Sequence, residues 1–227
     1  MWTEFDEALP VLTCDYTFGP GSARSLAVGI DGGIAIVSPP YRAREEDFAA
    51  IGRYGAVRAL VAPNAFHHLG LAEWKRRFPD AQIYAPRQSI DRVQRKAGVA
   101  GIRPLADLAA LGGRRVTFTD MPHYKTGEAL VRIDTARGRA WYVTDVIFNF
   151  ETMPGPLPIR MIFRLSGSAP GLRINNIAPL FMVQDKRALM GWLAQEAGRD
   201  PPRFLIPAHG AILDCGPGGD AVRRLLT

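Results

Sequence analysis

The chain has 227 residues, 47% of them hydrophobic, and 28 Lys and Arg against 22 Asp and Glu give it a formal charge of +6. That length and apolar content suit a single domain, 1–227, around one substantial core. The basic residues are scattered, as in Lys75-Arg76-Arg77, Arg114-Arg115 and Arg223-Arg224; this argues against a nucleic-acid surface, which needs a concentrated stripe, and leaves an anionic small-molecule substrate open.

In chain order, the opening MWTEFDEALPVLTCDY is acidic and has no long apolar stretch, so neither a leader nor a membrane anchor is expected, and a cytoplasmic protein is. Cys14 and Cys215 fit no disulfide framework or zinc-ribbon spacing, which agrees with a reducing compartment. The runs Ser25–Ile30 and Gly33–Val37, separated by Asp31-Gly32-Gly33, predict a β-hairpin. Glu45–Tyr54 carries Phe48, Ile51 and Tyr54 at helical spacing. Val57–Ala62 predicts a buried strand that stops at Pro63-Asn64. A helix over Leu71–Phe78, a strand over Ala81–Ala85 and short helices over Ser89–Lys96 and Leu105–Leu111 continue a β-α rhythm. Arg115–Thr119, Ala129–Thr135 and Ala140–Thr144 predict strands, the last two joined by a turn at Ala136-Arg137-Gly138-Arg139. The Pro- and Gly-rich stretch at about 150–182 predicts a long loop or lid with short helical turns. A helix over Lys186–Ala197, a strand over Phe204–Ile206 and a terminal helix over Ala221–Leu226 complete the chain.

Four histidines and one aspartate carry the candidate chemistry: the adjacent His67 and His68, then His123, Asp145 and His209. Each follows an apolar strand-like run, where α/β proteins present functional side chains. Imidazoles with one carboxylate are a common ligand set for a catalytic divalent metal. Other candidates carry less. Gly19-Pro20-Gly21-Ser22 lacks the lysine of a phosphate loop, and Arg164-Leu165-Ser166-Gly167-Ser168 lacks the spacing of a nucleophile elbow. Cys215, six residues from His209, is expected to be a packing residue and not a nucleophile.

Four segments resemble, in order, the motifs of the metallo-β-lactamase-like superfamily. Pro63-Asn64-Ala65-Phe66-His67-His68-Leu69-Gly70 is similar to its His-x-His-x-Asp-His element, and Pro122-His123-Tyr124-Lys125-Thr126-Gly127 to its Gly-His-Thr-x-Gly element. Trp141-Tyr142-Val143-Thr144-Asp145 resembles the strand that carries the bridging carboxylate, and Pro207-Ala208-His209-Gly210 the late Gly-His-Gly element. Pro63 and Ala65 stand where the first two histidines of the motif would be and cannot bind metal. His67 takes the aspartate position and His68 the last histidine position. The degenerate motif marks a divergent branch.

The resemblance implies an α/β fold of mixed sheets, a four-layer αββα sandwich. It further implies one divalent metal, zinc or iron, with His67, His68, Asp145 and His209 as ligands. His123 is then expected to move protons beside Asp145, its ordinary pKa suiting that role. The activity expected is mononuclear metal-dependent hydrolysis of an ester, thioester, lactone or phosphoester. The alternative is a metal-free, catalytically silent scaffold. In that reading Met161-Ile162-Phe163 and Leu180-Phe181-Met182 bind a ligand or protein, a homodimer being one form of it. Iron-based oxidoreduction is disfavoured, because no flavin-binding or rubredoxin-like segment is present.

Overall fold

The computed structural model describes residues 1–6 and 9–227. The first sheet runs in the order β1 (Thr3–Asp6), β2 (Val11–Phe18), β3 (Gly21–Ile30), β4 (Gly33–Val37), β5 (Val57–Val61), β6 (Gln82–Ala85), β7 (Arg103–Pro104). It is antiparallel from β1 to β4 and parallel from β4 to β7. Helices α1 (Glu45–Gly52), α2 (Leu71–Arg77) and α3 (Ile90–Ala97) make or accompany its parallel crossovers. Next come β8 (Val116–Asp120), β9 (Ala129–Thr135), β10 (Gly138–Val143), β11 (Ile147–Phe150), α4 (Leu157–Leu165) and β12 (Gly171–Ile174). The chain ends with α5 (Lys186–Arg199), β13 (Phe204–Pro207), β14 (Leu213–Asp214) and α6 (Asp220–Leu226). The second sheet is ordered β14-β13-β10-β9-β8, with β10 and β13 parallel, and β11 pairs with β12 as a separate ribbon.

Side-chain alternation explains the layering. Leu26 and Val28 of β3, Ala35 and Val37 of β4, and Ala59 and Val61 of β5 pack between the sheets against Val131, Ile133, Tyr142, Phe204 and Ile206. Their neighbours Ala27, Ile34, Ile36 and Leu60 face the other way, onto Phe48, Ile51, Leu71, Trp74 and Val93 of α1 to α3. On the second sheet Leu130, Trp141, Val143 and Leu205 meet Leu189, Leu193, Ala197 and Val222 of α5 and α6. A strand buried on both faces has no polar side to show, which is why the central strands are continuous apolar runs. The result is the expected αββα order of four layers.

Three stretches differ from expectation. Thr3–Asp6 and Val11–Phe18 form two strands, β1 and β2, where none was predicted; Thr13 is buried and Asp15 exposed, so polar residues interrupt the strand pattern. Leu105–Leu111 is a 3₁₀ helix. The segment at 150–182 is not one loop: it holds the end of β11, then α4 and β12. Helix α4 buries none of its side chains and has Pro158 in its first turn, where a missing backbone N–H costs nothing. The Pro- and Gly-rich sequence around it, Pro154-Gly155-Pro156 before and Gly167 and Pro170 after, reads as loop.

Arg132 of β9 and Glu196 of α5 form a hydrogen-bonded ion pair, with each side chain 8% exposed. Arg199 adds two bonds to Glu196, both 2.7 Å. Removing one member of a buried pair leaves an uncompensated charge. Glu196→Ala is expected to cost about 3–5 kcal/mol in urea unfolding, and Arg132→Met with Glu196→Leu to recover most of that loss; a loss under about 1 kcal/mol in the single variant would show that the pair does not anchor α5.

Candidate metal centre

Three strand ends meet at one edge of the sandwich. His67 follows β5, Asp145 follows β10, and His209 follows β13, the parallel neighbour of β10. Their ligand-capable atoms all lie within 4.8 Å of one another. His209 Nε2 is 3.2 Å from Asp145 Oδ1, and His67 Nε2 is 3.5 Å from Asp145 Oδ2.

Each imidazole is oriented from behind. His209 Nδ1 lies 2.8 Å from the Ser22 carbonyl oxygen, an acceptor only, so Nδ1 carries a ring N–H and Nε2 is directed at Asp145. His67 Nδ1 lies 2.8 Å from Ser38 Oγ, which is 3.0 Å from the Tyr16 hydroxyl. Donation from Nδ1 to Ser38 likewise leaves Nε2 free. Ser38 holds a left-handed φ of 54°, a cost that local structure must offset and that concentrates at functional sites.

Asn64 organises the carboxylates. Its Nδ2 donates to Asp145 Oδ2 at 2.7 Å, Glu128 Oε2 at 2.8 Å and Thr144 Oγ1 at 3.2 Å. Its Oδ1 accepts the backbone N–H groups of Phe66 and His67 at 2.8 and 3.0 Å. One fully buried amide thus shapes the loop that carries His67 and aligns the carboxylate facing it. Glu128, also fully buried, accepts the backbone N–H groups of Thr144 and Asp145, both at 3.2 Å, and pairs with the Thr144 hydroxyl. Burial, with the charge of Asp145 added, pushes its carboxyl up to about 8. Burial acts on Asp145 in the same sense, but His67 and His209 outweigh it and hold that carboxyl well below the usual range.

The donor set fits a divalent cation. Two neutral imidazoles and one carboxylate at bond lengths of about 2.0–2.2 Å would lie roughly 3.0–3.4 Å apart, close to the two separations found. Hydrogen bonds to the far side of each histidine are the usual outer partners of metal ligands. Such a trio leaves positions for water or substrate and suits zinc or iron.

His68 corrects the expected four-ligand set. Asn64 fixes the turn so that His67 points inward, and its neighbour diverges: His68 Nδ1 is 3.1 Å from the Ala65 carbonyl oxygen. Burial and then the charges of Arg92, His67 and Lys96 lower its pKa, the Ala65 bond opposing. His123 is exposed, at a left-handed φ of 65°, and does not line the cavity beside Asp145 and His209. Its neighbour Tyr124 is buried instead, its phenol pushed well above the usual range by burial and by the charges of Glu128 and Asp145. Cys215 is buried, and its thiol is pushed up to about 11 chiefly by that burial, the opposite of an activated nucleophile. Ser38, Asn64 and Glu128 were missed, although the Pro63-Asn64 strand stop pointed at Asn64.

Known structures agree with this architecture. A metallo-β-lactamase from Pontibacter korlensis matches 100% of this chain and 98% of its own, with a TM-score of 0.64 at 13% identity. A mono-zinc metallo-β-lactamase from Pseudomonas aeruginosa matches 100% and 94% of the two chains at TM-score 0.63 and 13% identity. The flavodiiron protein from Giardia intestinalis gives 0.66 at 13% identity; all of this chain matches 58% of that one. No family model and no curated protein matches the sequence. The fold is therefore that of the metallo-β-lactamases.

The raised carboxyl of Glu128 sets a pH dependence. Between about 4.5 and about 8 the folded state binds a proton that the unfolded state has released, so stability falls as pH rises through that window. Urea unfolding from pH 5 to 8 is expected to show this slope and Glu128→Gln to flatten it; an equal slope in both proteins would assign it to another group.

Proposed function

We propose that the protein is a mononuclear metal-dependent hydrolase of an ester, thioester, lactone or phosphoester. The observation that carries this reading is the convergence of His67, Asp145 and His209 at a cavity of about 700 Å³, with Asp145 and His209 in its wall. A cation held there supplies Lewis acidity, which acidifies water and polarises a carbonyl or phosphoryl group. The residues of the chain do the rest. Ser38 and the Ser22 carbonyl fix the two rings, and Asn64 fixes the carboxylate between them. Phe148 and Phe150 stand 5.5 and 6.4 Å from the His209 ring, with Phe18 at 6.4 Å. They keep bulk water from that side, so that electrostatic interactions within the cavity strengthen. Among the acids of the cavity wall, Asp15 is committed to Arg24 and Asp145 to the imidazoles.

A scaffold without turnover is the competing reading, and the loss of the His-x-His pair favours it. A panel of chromogenic esters, lactones and phosphoesters separates the two. Zinc- or iron-loaded protein is expected to turn over at least one substrate, with activity lost on chelation, restored by metal, and lowered by about a thousandfold or more in His209→Ala. Undiminished activity in a folded His209→Ala protein would refute the site; no turnover by metal-loaded protein would favour the scaffold.

A further inference from the structure

The charges and rings of the cavity wall narrow the substrate class, and the narrowing rests on the hydrolase reading above. Five apolar side chains line one side: Phe18, Phe148, Phe150, Ile159 and Phe163. The rings of Phe148, Phe150 and Phe163 form a mutual cluster with centroids 5.3 to 5.8 Å apart. This cluster reaches from His209 to α4, whose outer surface also stays apolar at Leu157, Met161, Ile162 and Leu165.

The polar side of the wall is poor in free cations. Arg24 is the one Arg or Lys among the described residues lining it, beside Asp15, Asp145 and Glu151. Its guanidinium is already occupied: Nε and Nη2 hold Asp15 at 2.8 and 3.0 Å, and Nη1 donates to the carbonyls of Gly210 and Pro207 at 2.6 and 3.2 Å. Among the described lining residues an anionic phosphoester would thus find no available guanidinium or ammonium group, the donors that ordinarily recognise phosphate. The overall excess of basic residues, which left an anionic substrate open, is not reflected at the cavity.

We propose that the cavity takes an uncharged carboxylic ester with an apolar acyl chain, the chain lying along Phe148, Phe150, Phe163 and Ile159 and the ester group toward Asp145 and His209. In its hydrolysis the oxygen of water bonds to the acyl carbon. The acyl–oxygen bond breaks with its electron pair on the alkoxy oxygen, which takes up a proton from the water. The products are a carboxylic acid and an alcohol.

Two readouts on the metal-loaded full chain test this. The first compares turnover of 4-nitrophenyl acetate, 4-nitrophenyl octanoate and bis(4-nitrophenyl) phosphate. Each methylene fully buried is worth about fourfold in binding, so kcat/KM for octanoate is expected to exceed that for acetate by about tenfold or more and to exceed that for the phosphodiester. The second measures displacement of Nile red by octanamide, which requires no turnover. Phe163→Asp, on a helix that buries no side chain, is expected to retain the fold, to raise KM for octanoate about tenfold or more, and to abolish octanamide binding. Indifference to chain length, or faster turnover of the phosphodiester, overturns this inference and leaves the hydrolase reading standing. Octanamide binding lost in Phe163→Asp but with no turnover of any ester supports the apolar site and overturns the hydrolase reading. Absence of both binding and turnover overturns both.

Discussion

A single half-buried anion organises this edge of the molecule. Asp145 lies at the end of β10, where the two sheets, the ribbon of β11 and β12 and the loop after β5 meet. A carboxylate removed from water is tolerable only when its charge is met by donors or cations. Two imidazoles, the Asn64 amide and its own connections to neighbouring loops meet it here: Asn175 donates to its backbone carbonyl at 2.8 Å, and its N–H donates to Glu128. Ser38, the Ser22 carbonyl and Glu128 then follow as the groups that position those that touch it. The fixed directions of the two Nε2 atoms make the cluster suitable for a cation as well as for hydrogen bonding.

The sandwich makes this convergence inexpensive in conformational terms. His209 and Asp145 leave the ends of adjacent parallel strands, so register alone brings them together, Val143 opposite Pro207. The opposing sheet contributes through the ends of β4 and β5, another parallel pair, where Ser38 and the His67 loop emerge. The backbone bond from Arg24 N–H to the Ala208 carbonyl oxygen, at 2.7 Å, ties the two sheets beside the site. In open parallel sheets the carboxyl ends of strands are the usual place for ligands, because loops diverge there and leave a crevice. The aromatic wall formed by β11 and α4 lines that crevice beside the candidate metal centre.

Much of this was legible in the sequence. The central strands were readable because burial on both faces removes polar residues from them, and the helices because α1, α2 and α5 each turn an apolar stripe inward. His67, Asp145 and His209 were readable because each stood just past a strand in an order resembling a known set of motifs. The misplacement of His68 has a local cause: a motif gives positions, whereas the direction of a side chain in a tight turn depends on the hydrogen bonds that shape the turn, here those to Asn64 Oδ1. Asn64, Glu128 and Ser38 gave little signal, since a lone buried polar residue is indistinguishable by pattern from an exposed one. His123 was misassigned for the converse reason: its motif resemblance was good, but the buried residue beside Asp145 is its neighbour Tyr124. Helix α4 was obscured because the Pro- and Gly-rich sequence on either side of it reads as loop and none of its side chains is buried.

The central claim is that one cation is held by His67, Asp145 and His209, with no ligand from His68. Equilibrium titration of purified protein with zinc and with ferrous iron, with bound metal counted by elemental analysis, tests it most directly when run on wild type, His67→Ala and His68→Ala. The account predicts about one equivalent in wild type and in His68→Ala, with affinity lowered by about a hundredfold or more in His67→Ala. Loss of the metal in His68→Ala with retention in His67→Ala, or no binding in wild type, would contradict it.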